Sequence, residues 1–333
     1  MGQTKAREDY LIAGKLEVEQ TMKIMSGASL EIEGAVLGLK PATSYFVDTV
    51  NGLDTNDGKS WALAFQTMSA ALSAVATGGF IYFRGDVREE LVGSNLKFDV
   101  TIIGVGSKHH ADVPAAGYHP GASAWRPPAS PTAATPLIKV RGRGWKFINI
   151  MFDCPVDAAA IYLERNALEG TSEYDAGHAT IIGCDFRNGK YGIQDVGGCF
   201  NVRIEDCDFE TLDEASGVAI VNTSTAVAVP RRWVIQGNRF QMDSSTEGNL
   251  THIDSPLNGS TIKDNVFGTV KSTGKYIDLT GGTGNVVAKN ILGGVYDTDD
   301  YVAGTGDLWY QNAVAVKATT APDGLTLAAP AAP

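Results

Sequence analysis

A short pattern of alternating apolar and polar positions recurs down the second half of the chain. In the copy at 203–209, apolar Ile204, Cys207 and Phe209 are separated by charged residues. This alternation is typical of a half-buried β-strand, and the 3.6-residue period of an amphipathic helix is absent. Related copies occupy residues 147–152, 180–186, 234–240, 261–267 and 286–292.

The copies recur at intervals typical of stacked structural repeats. The apolar residues that end successive copies lie 34, 23, 31, 27 and 25 positions apart. A second β-rich stretch follows most copies, as at 192–196, 217–221 and 276–279. Two or three short strands per repeat predict an all-β solenoid, a parallel β-helix, in which each coil buries its inward side chains against neighbouring coils.

Equivalent positions in adjacent coils would stack about 4.8 Å apart, so the repeats predict two interior columns. The first would hold thiols and amides, because stacked Asn side chains satisfy one another's donors and acceptors. The second would fill the interior with aromatic rings. The first predicted column consists of Cys184, Cys207, Asn238, Asn265 and Asn290, and the second of Phe186, Phe209, Phe240 and Phe267.

The segment before the repeats carries a motif of its own. It includes Tyr45-Phe-Val-Asp48, then Asn51-Gly52, then a Gly-, Ser- and Trp-containing stretch at 56–65. With a predicted helix over Met68–Val75, this segment resembles the entry to right-handed parallel β-helix proteins of the pectate-lyase-like superfamily. The resemblance implies a single-stranded right-handed solenoid over residues 43–310, capped at its N-terminal end by that helix. It leaves the activity open, since the superfamily holds lyases, hydrolases, phage tailspikes and inert structural proteins.

Two terminal regions differ from the repeats. Residues 1–42 alternate apolar with charged residues, and about forty residues rarely bury a core alone. We expect a strand-rich docking or oligomerisation arm there, the alternative being an incomplete opening coil. Residues 311–333 are rich in Ala, Pro and Thr and predict an extended tail.

An insertion is predicted at residues 107–136, which are rich in Pro, Ala, Ser and Gly. Insertions in solenoids emerge on one lateral face, which often contacts a partner. Tyr118, Trp125 and Arg126 are therefore candidate partner contacts. The alternative is that the insertion folds back on itself as a compact loop.

The charge balance narrows the classes of partner. The chain has 27 Lys plus Arg against 38 Asp plus Glu, a net charge of −11, and no basic stripe is visible in the sequence. Such a surface repels phosphates, so we expect no nucleic-acid partner. No apolar export signal or membrane-spanning stretch is evident. The four cysteines do not indicate a disulfide framework, because two of them fall at ladder positions.

Candidate chemistry is concentrated in one acidic region. In the resembled superfamily, hydrolases use clustered carboxylates, and lyases use bound calcium with an Arg or Lys base. Asp185 and Asp208 are predicted to stack, with Arg187 beside them, so these three are the catalytic candidates. The alternative is that they are surface charges that keep the solenoid soluble and deter edge pairing, since Arg239 and Val266 continue the column. No cofactor-binding or metal-binding spacing is found.

These observations lead to two functional expectations. The first is a phage virion structural protein, a homotrimeric capsid decoration, head fibre or short spike. It would attach through residues 1–42 to the major capsid or a tail protein and adhere to host-surface glycans. The resemblance supports this, because β-helix enzymes acting on polysaccharides usually carry an export signal. The second is a polysaccharide lyase or glycoside hydrolase resembling a tailspike depolymerase, and a third reading is a bare carbohydrate-binding module.

Overall fold

The chain divides into two compact units, residues 1–42 and residues 43–333. In the first unit, strands Leu30–Ile32 and Ala35–Leu37 pair antiparallel, and the other strands predicted for the arm lie outside the described residues. The computed structural model describes residues 30–32, 35–37, 44–94, 96–108, 122–165, 175–210, 217–223, 229–241, 251–268, 274–292 and 301–314.

The second unit is a right-handed parallel β-helix, which confirms the predicted fold. Each complete coil supplies one strand to each of three parallel faces, and the long strand Phe80–Val87 runs through faces I and II. Face I contains Ser44–Asp48, Phe80–Val87, Thr101–Gly104, Lys146–Ile148, Thr180–Ile182, Arg203–Glu205, Val234–Gln236, Thr261–Lys263, Val286–Ala288 and Leu308–Tyr310. Face II contains the end of Phe80–Val87 and then Ser123–Trp125, Met151–Asp153, Asp185–Arg187, Asp208–Glu210, Arg239–Gln241, Val266–Phe267, Ile291–Leu292 and Ala313–Val314. Face III contains Leu91–Val92, Ile138–Val140, Ala159–Glu164, Tyr191–Val196, Val218–Asn222, Thr251–Asp254, Ile277–Asp278 and Tyr301–Val302.

The register keeps like residues in line. On face I, Ile181, Ile204 and Ile235 are directly paired neighbours, and all three are fully buried. On face III, Ile193 and Ile220 pair in the same way. Because branched aliphatic side chains suit a pleated surface buried on one side, these columns form the interior wall of each face.

Two sharp corners per coil bring the faces together. At the corner between faces I and II, one residue in each coil from Asn149 onwards adopts a positive φ, which makes a sharp turn without ending the strand pairing. Gly, Asn and Asp tolerate this conformation best, and they hold most of these positions, with Lys289 and Gln311 at the last two. The corner residues are Asn149, Gly183, Asp206, Gly237, Asp264, Lys289 and Gln311, with φ from 53° to 68°.

The N-terminal motif builds the entry to the coil stack. Asp48 is buried and accepts hydrogen bonds from the backbone of Asn51 and from the Arg84 guanidinium, at 3.0 and 2.7 Å. The single α-helix of the described part of the chain runs from Met68 to Ala74, one residue shorter than predicted. Its first two amides donate to Glu89, and its buried residues join the core at the first coils. The motif therefore has a structural explanation.

Two of the predicted boundaries need correction. The insertion predicted for 107–136 contains the strand Ser123–Trp125, which pairs with Met151–Asp153 in face II. The predicted tail, 311–333, begins with another face II strand, Ala313–Val314, which pairs with Ile291–Leu292. Coils therefore continue through both regions, and residues 315–333 lie outside the described part of the chain.

Candidate functional site

The amide column forms a directional hydrogen-bonded ladder. Asn265 Oδ1 accepts the backbone N–H of Asn238 at 2.9 Å and its side-chain Nδ2 at 3.0 Å. Asn265 Nδ2 then donates to the carbonyl of Ile235 on face I at 3.0 Å. The same three bonds link Asn265 to Asn290, and Asn290 to Asn312. Asn312 was missed in the sequence, although it stands in the same position relative to the last face I strand.

The thiol positions continue this column toward the N-terminus. The thiols of Cys184 and Cys207 donate to the carbonyls of Phe147 and Ile181, each at 3.6 Å. The Cys207 backbone N–H donates to Asn238 Oδ1 at 2.9 Å, which joins the two parts of the ladder. All four cysteines are free and buried, and burial raises the pKa of Cys207 well above its usual value. These thiols are therefore packing groups.

The aromatic column lies beside the ladder. Successive centroids are separated by 4.7 Å between Phe186 and Phe209, 4.9 Å to Phe240 and 4.6 Å to Phe267, with rings within 7° of parallel. All four side chains are at most 1% exposed. Offset stacking at such distances adds to the stabilisation from apolar burial.

Trp125 belongs to this aromatic column, so its predicted role as a surface contact is wrong. It is completely buried, stacks 5.9 Å from Phe152 and donates its indole N–H to the Glu89 carbonyl at 2.9 Å. Arg126, in the following position, is only 17% exposed and lies 3.4 Å from Asp86. Tyr118, the third candidate contact, lies outside the described residues.

The catalytic candidates come together on the outer side of face II. Asp185 and Asp208 are directly paired neighbours in adjacent coils. Arg187 lies 2.9 Å from Asp185 and 3.2 Å from Glu210, so one guanidinium serves two carboxylates. Asp208 lies 3.6 Å from the Lys108 ammonium. The cluster is therefore a small network of opposite charges.

Asp185 is the most perturbed member of this network. Burial raises the pKa of its carboxyl to about 6, against the opposing effect of the Arg187 hydrogen bond. Its side chain is 1% exposed, and its Oδ1 has no hydrogen-bond partner among the described residues. A carboxyl with this pKa is suited to exchanging protons near neutrality. Its burial, however, keeps it from touching a substrate in this conformation.

A second carboxylate pair lies on face III and was missed in the sequence. Asp254 and Asp278 are paired neighbours there, and Lys275 donates a hydrogen bond to Asp278. Burial acts to raise the pKa of Asp278, but bonds from Lys275 and Thr280 hold it below its usual value. Burial, and then the negative charge of Asp278, raise the pKa of Asp254. The available signal was an alignment of the two β-rich stretches, in which Asp254 follows Ile253 as Asp278 follows Ile277.

The described ranges hold no cluster of three or more His, Cys, Asp or Glu placed to bind a metal ion. No helix in the described segments is long and apolar enough to cross a membrane.

Comparison with known proteins identifies the architecture. No protein-family model matches the chain, and no curated protein sequence matches it. Pectate lyase Pel9A superposes with a TM-score of 0.52 and 14% identity, over 81% of this chain and 75% of that one. XylC, solved in complex with xylose, superposes with a TM-score of 0.50 and 11% identity, over 82% and 71%.

A third similar structure is the tailspike of E. coli bacteriophage HK620, a D339A mutant solved with a pentasaccharide. Its TM-score is 0.42 at 12% identity, over 72% of this chain and 50% of the tailspike. Identities this low show a shared fold alone. The chain has the right-handed parallel β-helix fold of the pectate-lyase-like proteins.

Proposed function

We propose that the protein is a non-enzymatic structural component of a phage virion, a trimeric β-helix that decorates the capsid or forms a short spike. In this role the solenoid presents a stable surface, and the separate unit at residues 1–42 attaches it to a capsid or tail protein. Adhesion to host-surface glycans is part of the same proposal.

The observation that carries this proposal is the state of the acidic cluster on face II. Asp185 is buried, Arg187 is shared between Asp185 and Glu210, and Lys108 lies against Asp208. Mutual pairing of this kind stabilises a surface and leaves no open carboxylate pair at this cluster for a sugar ring. Catalysis by two carboxyl groups requires both to reach the glycosidic bond.

The organisation of the chain also supports the proposal. Residues 1–42 form a compact unit separate from the coils, with a hairpin of strands Leu30–Ile32 and Ala35–Leu37. A small unit of about forty residues is a suitable attachment module, since so short a segment gains stability by docking.

Two measurements on the full chain test the role. Sedimentation analysis of the purified protein should give the mass of a trimer. Gold-labelled antibodies against the chain should decorate phage particles from the source culture. Unlabelled particles, or a monomer at all concentrations, would contradict the virion role or the trimer respectively.

The alternative is a polysaccharide lyase or hydrolase, and the pKa of Asp185 near 6 is the observation that favours it. A pair of carboxyl groups in different environments, Asp185 and Asp208, is a common acid–base arrangement. Release of reducing or unsaturated ends from acidic glycans, lost in Asp208→Ala but kept in the matched variant Asp264→Ala, would establish this alternative and refute the structural role.

A further inference from the structure

Four arginines lie at the corner between faces III and I, although they are scattered in the sequence. They are Arg143, Arg165, Arg231 and Arg232, and we call them, with the ring of Phe200, the arginine corner. Phe200 and Arg231 are bridged neighbours in adjacent coils. Gly144, which follows Arg143, and Arg232 both adopt a positive φ. The sharp turn of the chain therefore places these two arginines at the corner.

The ring of Phe200 organises two of the guanidinium groups. The centre of the Arg165 guanidinium lies 5.4 Å from the ring centroid, and that of Arg143 lies 5.7 Å from it. Gly177, in the intervening coil, has no side chain, and a Cβ there would lie 3.3 Å from the Phe200 ring. The absence of that side chain leaves room for Arg143 to reach across a coil. Stacking on a ring holds a guanidinium plane in place. Arg165 Nη1 also donates to the Gly198 carbonyl at 3.0 Å, which fixes this guanidinium further and leaves its remaining N–H groups for an anion.

The positive charge of this corner is not fully compensated. Arg143 pairs with Asp175 at 2.6 Å, and its side chain is still 51% exposed. Arg165, Arg231 and Arg232 form no ion pair with a described residue, and the last two are exposed. Arg165 lies one coil before Phe200, and Arg231 and Arg232 lie one coil after it. In a chain with a net charge of −11, these three guanidinium groups form a local site for anions.

The surroundings of the corner are polar. His178 and Asn201 occupy positive-φ positions in the two coils between Gly144 and Arg232. Beyond Arg231 the bridged column continues with Asn258, Thr283 and Thr305. A protein partner usually requires an apolar centre in its interface, and the Phe200 ring here is contacted by two guanidinium groups and by the His178 ring. Hydroxyl, amide and guanidinium groups instead suit a hydrated, carboxylate-bearing sugar chain.

We propose that the arginine corner is a binding site for an acidic glycan, whose carboxylates are held by the guanidinium groups of Arg143, Arg165, Arg231 and Arg232. The three coil steps from Arg143 to Arg231 span about 14 Å, enough for more than one anionic sugar. This inference deepens the proposed adhesion to host glycans, and it names the chemistry and place of contact.

The test is calorimetric titration of the full chain with alginate oligosaccharides, which carry a carboxylate on each sugar. The first titration is done in about 50 mM salt. We expect saturable binding that weakens as salt is raised. Arg231→Gln should weaken it roughly tenfold, as loss of one charge-assisted contact does. Arg165→Lys should also weaken binding, because it keeps the charge and removes the planar fork.

The matched control is Arg239→Gln, which removes the same charge from an exposed arginine of the same coil on face II. It should bind alginate as the parent chain does. The proposal is overturned if neutral dextran binds equally well, if alginate does not bind, or if Arg239→Gln and Arg231→Gln have equal effects. Stronger binding of oligo-dT than of alginate would reassign the corner to nucleic acid. Gold labelling of particles does not depend on this corner, so failure here leaves the virion role standing.

Discussion

The two halves of the interior ladder solve the same problem with different chemistry. In the asparagine half, each of Asn238, Asn265 and Asn290 accepts or donates several bonds that link three coils. In the thiol half, Cys184 and Cys207 donate weak bonds to the same type of face I carbonyl. The comparison shows that one position in the coil is filled either by an amide, which needs several hydrogen bonds, or by a thiol, which needs few. We expect that replacing an Asn of the ladder lowers the free energy of unfolding more than replacing a Cys does.

The largest effect should follow from Asn265→Ala. This change leaves the buried backbone N–H of Asn238 without its partner, at roughly 1–3 kcal/mol, and removes one bond to the carbonyl of Ile235, at about 1 kcal/mol. The unfolding free energy should therefore fall by about 2–4 kcal/mol, measured by urea unfolding followed by circular dichroism. A cost no greater than that of Cys207→Ala would remove the distinction between the two halves.

Acid should act mainly on the asparagine half, through His252. This side chain is completely buried against Phe240, Phe267 and Tyr276, and burial lowers its pKa from 6.5 to about 3. The unfolded chain takes up this proton near pH 6.5 while the folded chain does not. Stability should therefore fall by up to about 1.4 kcal/mol per pH unit below 6.5.

The control for this acid effect is His252→Leu, which has no proton to bind. Urea midpoints measured between pH 7 and 4 should then vary less than in the parent chain. An unchanged pH dependence would mean that other groups cause the acid lability.

A titration of opposite sign is expected in the thiol half. The folded pKa of Asp185, about 6, lies above its unfolded value of 3.8. The stability linked to this carboxyl is present below pH 4 and is lost as pH rises through 6, by up to about 1.4 kcal/mol per unit. Asp185→Asn keeps an acceptor for Arg187 and should gain stability relative to the parent between pH 4 and 7, in the same urea experiment.

The smallest effect should come from Cys207→Ala. The thiol is buried and forms only weak sulfur bonds, to the carbonyls of Ile181 and Glu205 at 3.6 and 3.3 Å. We expect a loss of about 1 kcal/mol, from a small cavity and a weak hydrogen bond. A loss above about 3 kcal/mol would show that the thiol column is as demanding as the amide column.

The fold could be predicted from the sequence because each coil repeats its own interior. An Asn or Cys two positions before a Phe, after an alternating strand, recurs at Cys207, Asn238 and Asn265. This pattern can be recognised without knowing the lengths or structures of the loops between the strands. It failed at Trp125, because residues 105–122 separate the face I and face II strands of that coil, and the copy is broken in the middle.

The arginine corner could not be predicted for a related reason. Arg143, Arg165, Phe200 and Arg231 are adjacent only because loops of unequal length return the chain to the same corner. Linear spacing carries no information on this register. Burial was equally hidden at Asp185, which lies on the outer side of face II but is enclosed all the same.

The one-way arrangement of the ladder has a consequence for the height of the coil stack. Each Asn side chain accepts hydrogen bonds from the preceding coil and donates one to it. A further coil can therefore be added at the C-terminal end if it offers an acceptor to the last Asn. Ten face I strands are described, from Ser44–Asp48 to Leu308–Tyr310, and nine steps between them give a column of about 43 Å. The cross-section is fixed by the corners, so relatives built on this plan should differ in height by whole steps of about 5 Å.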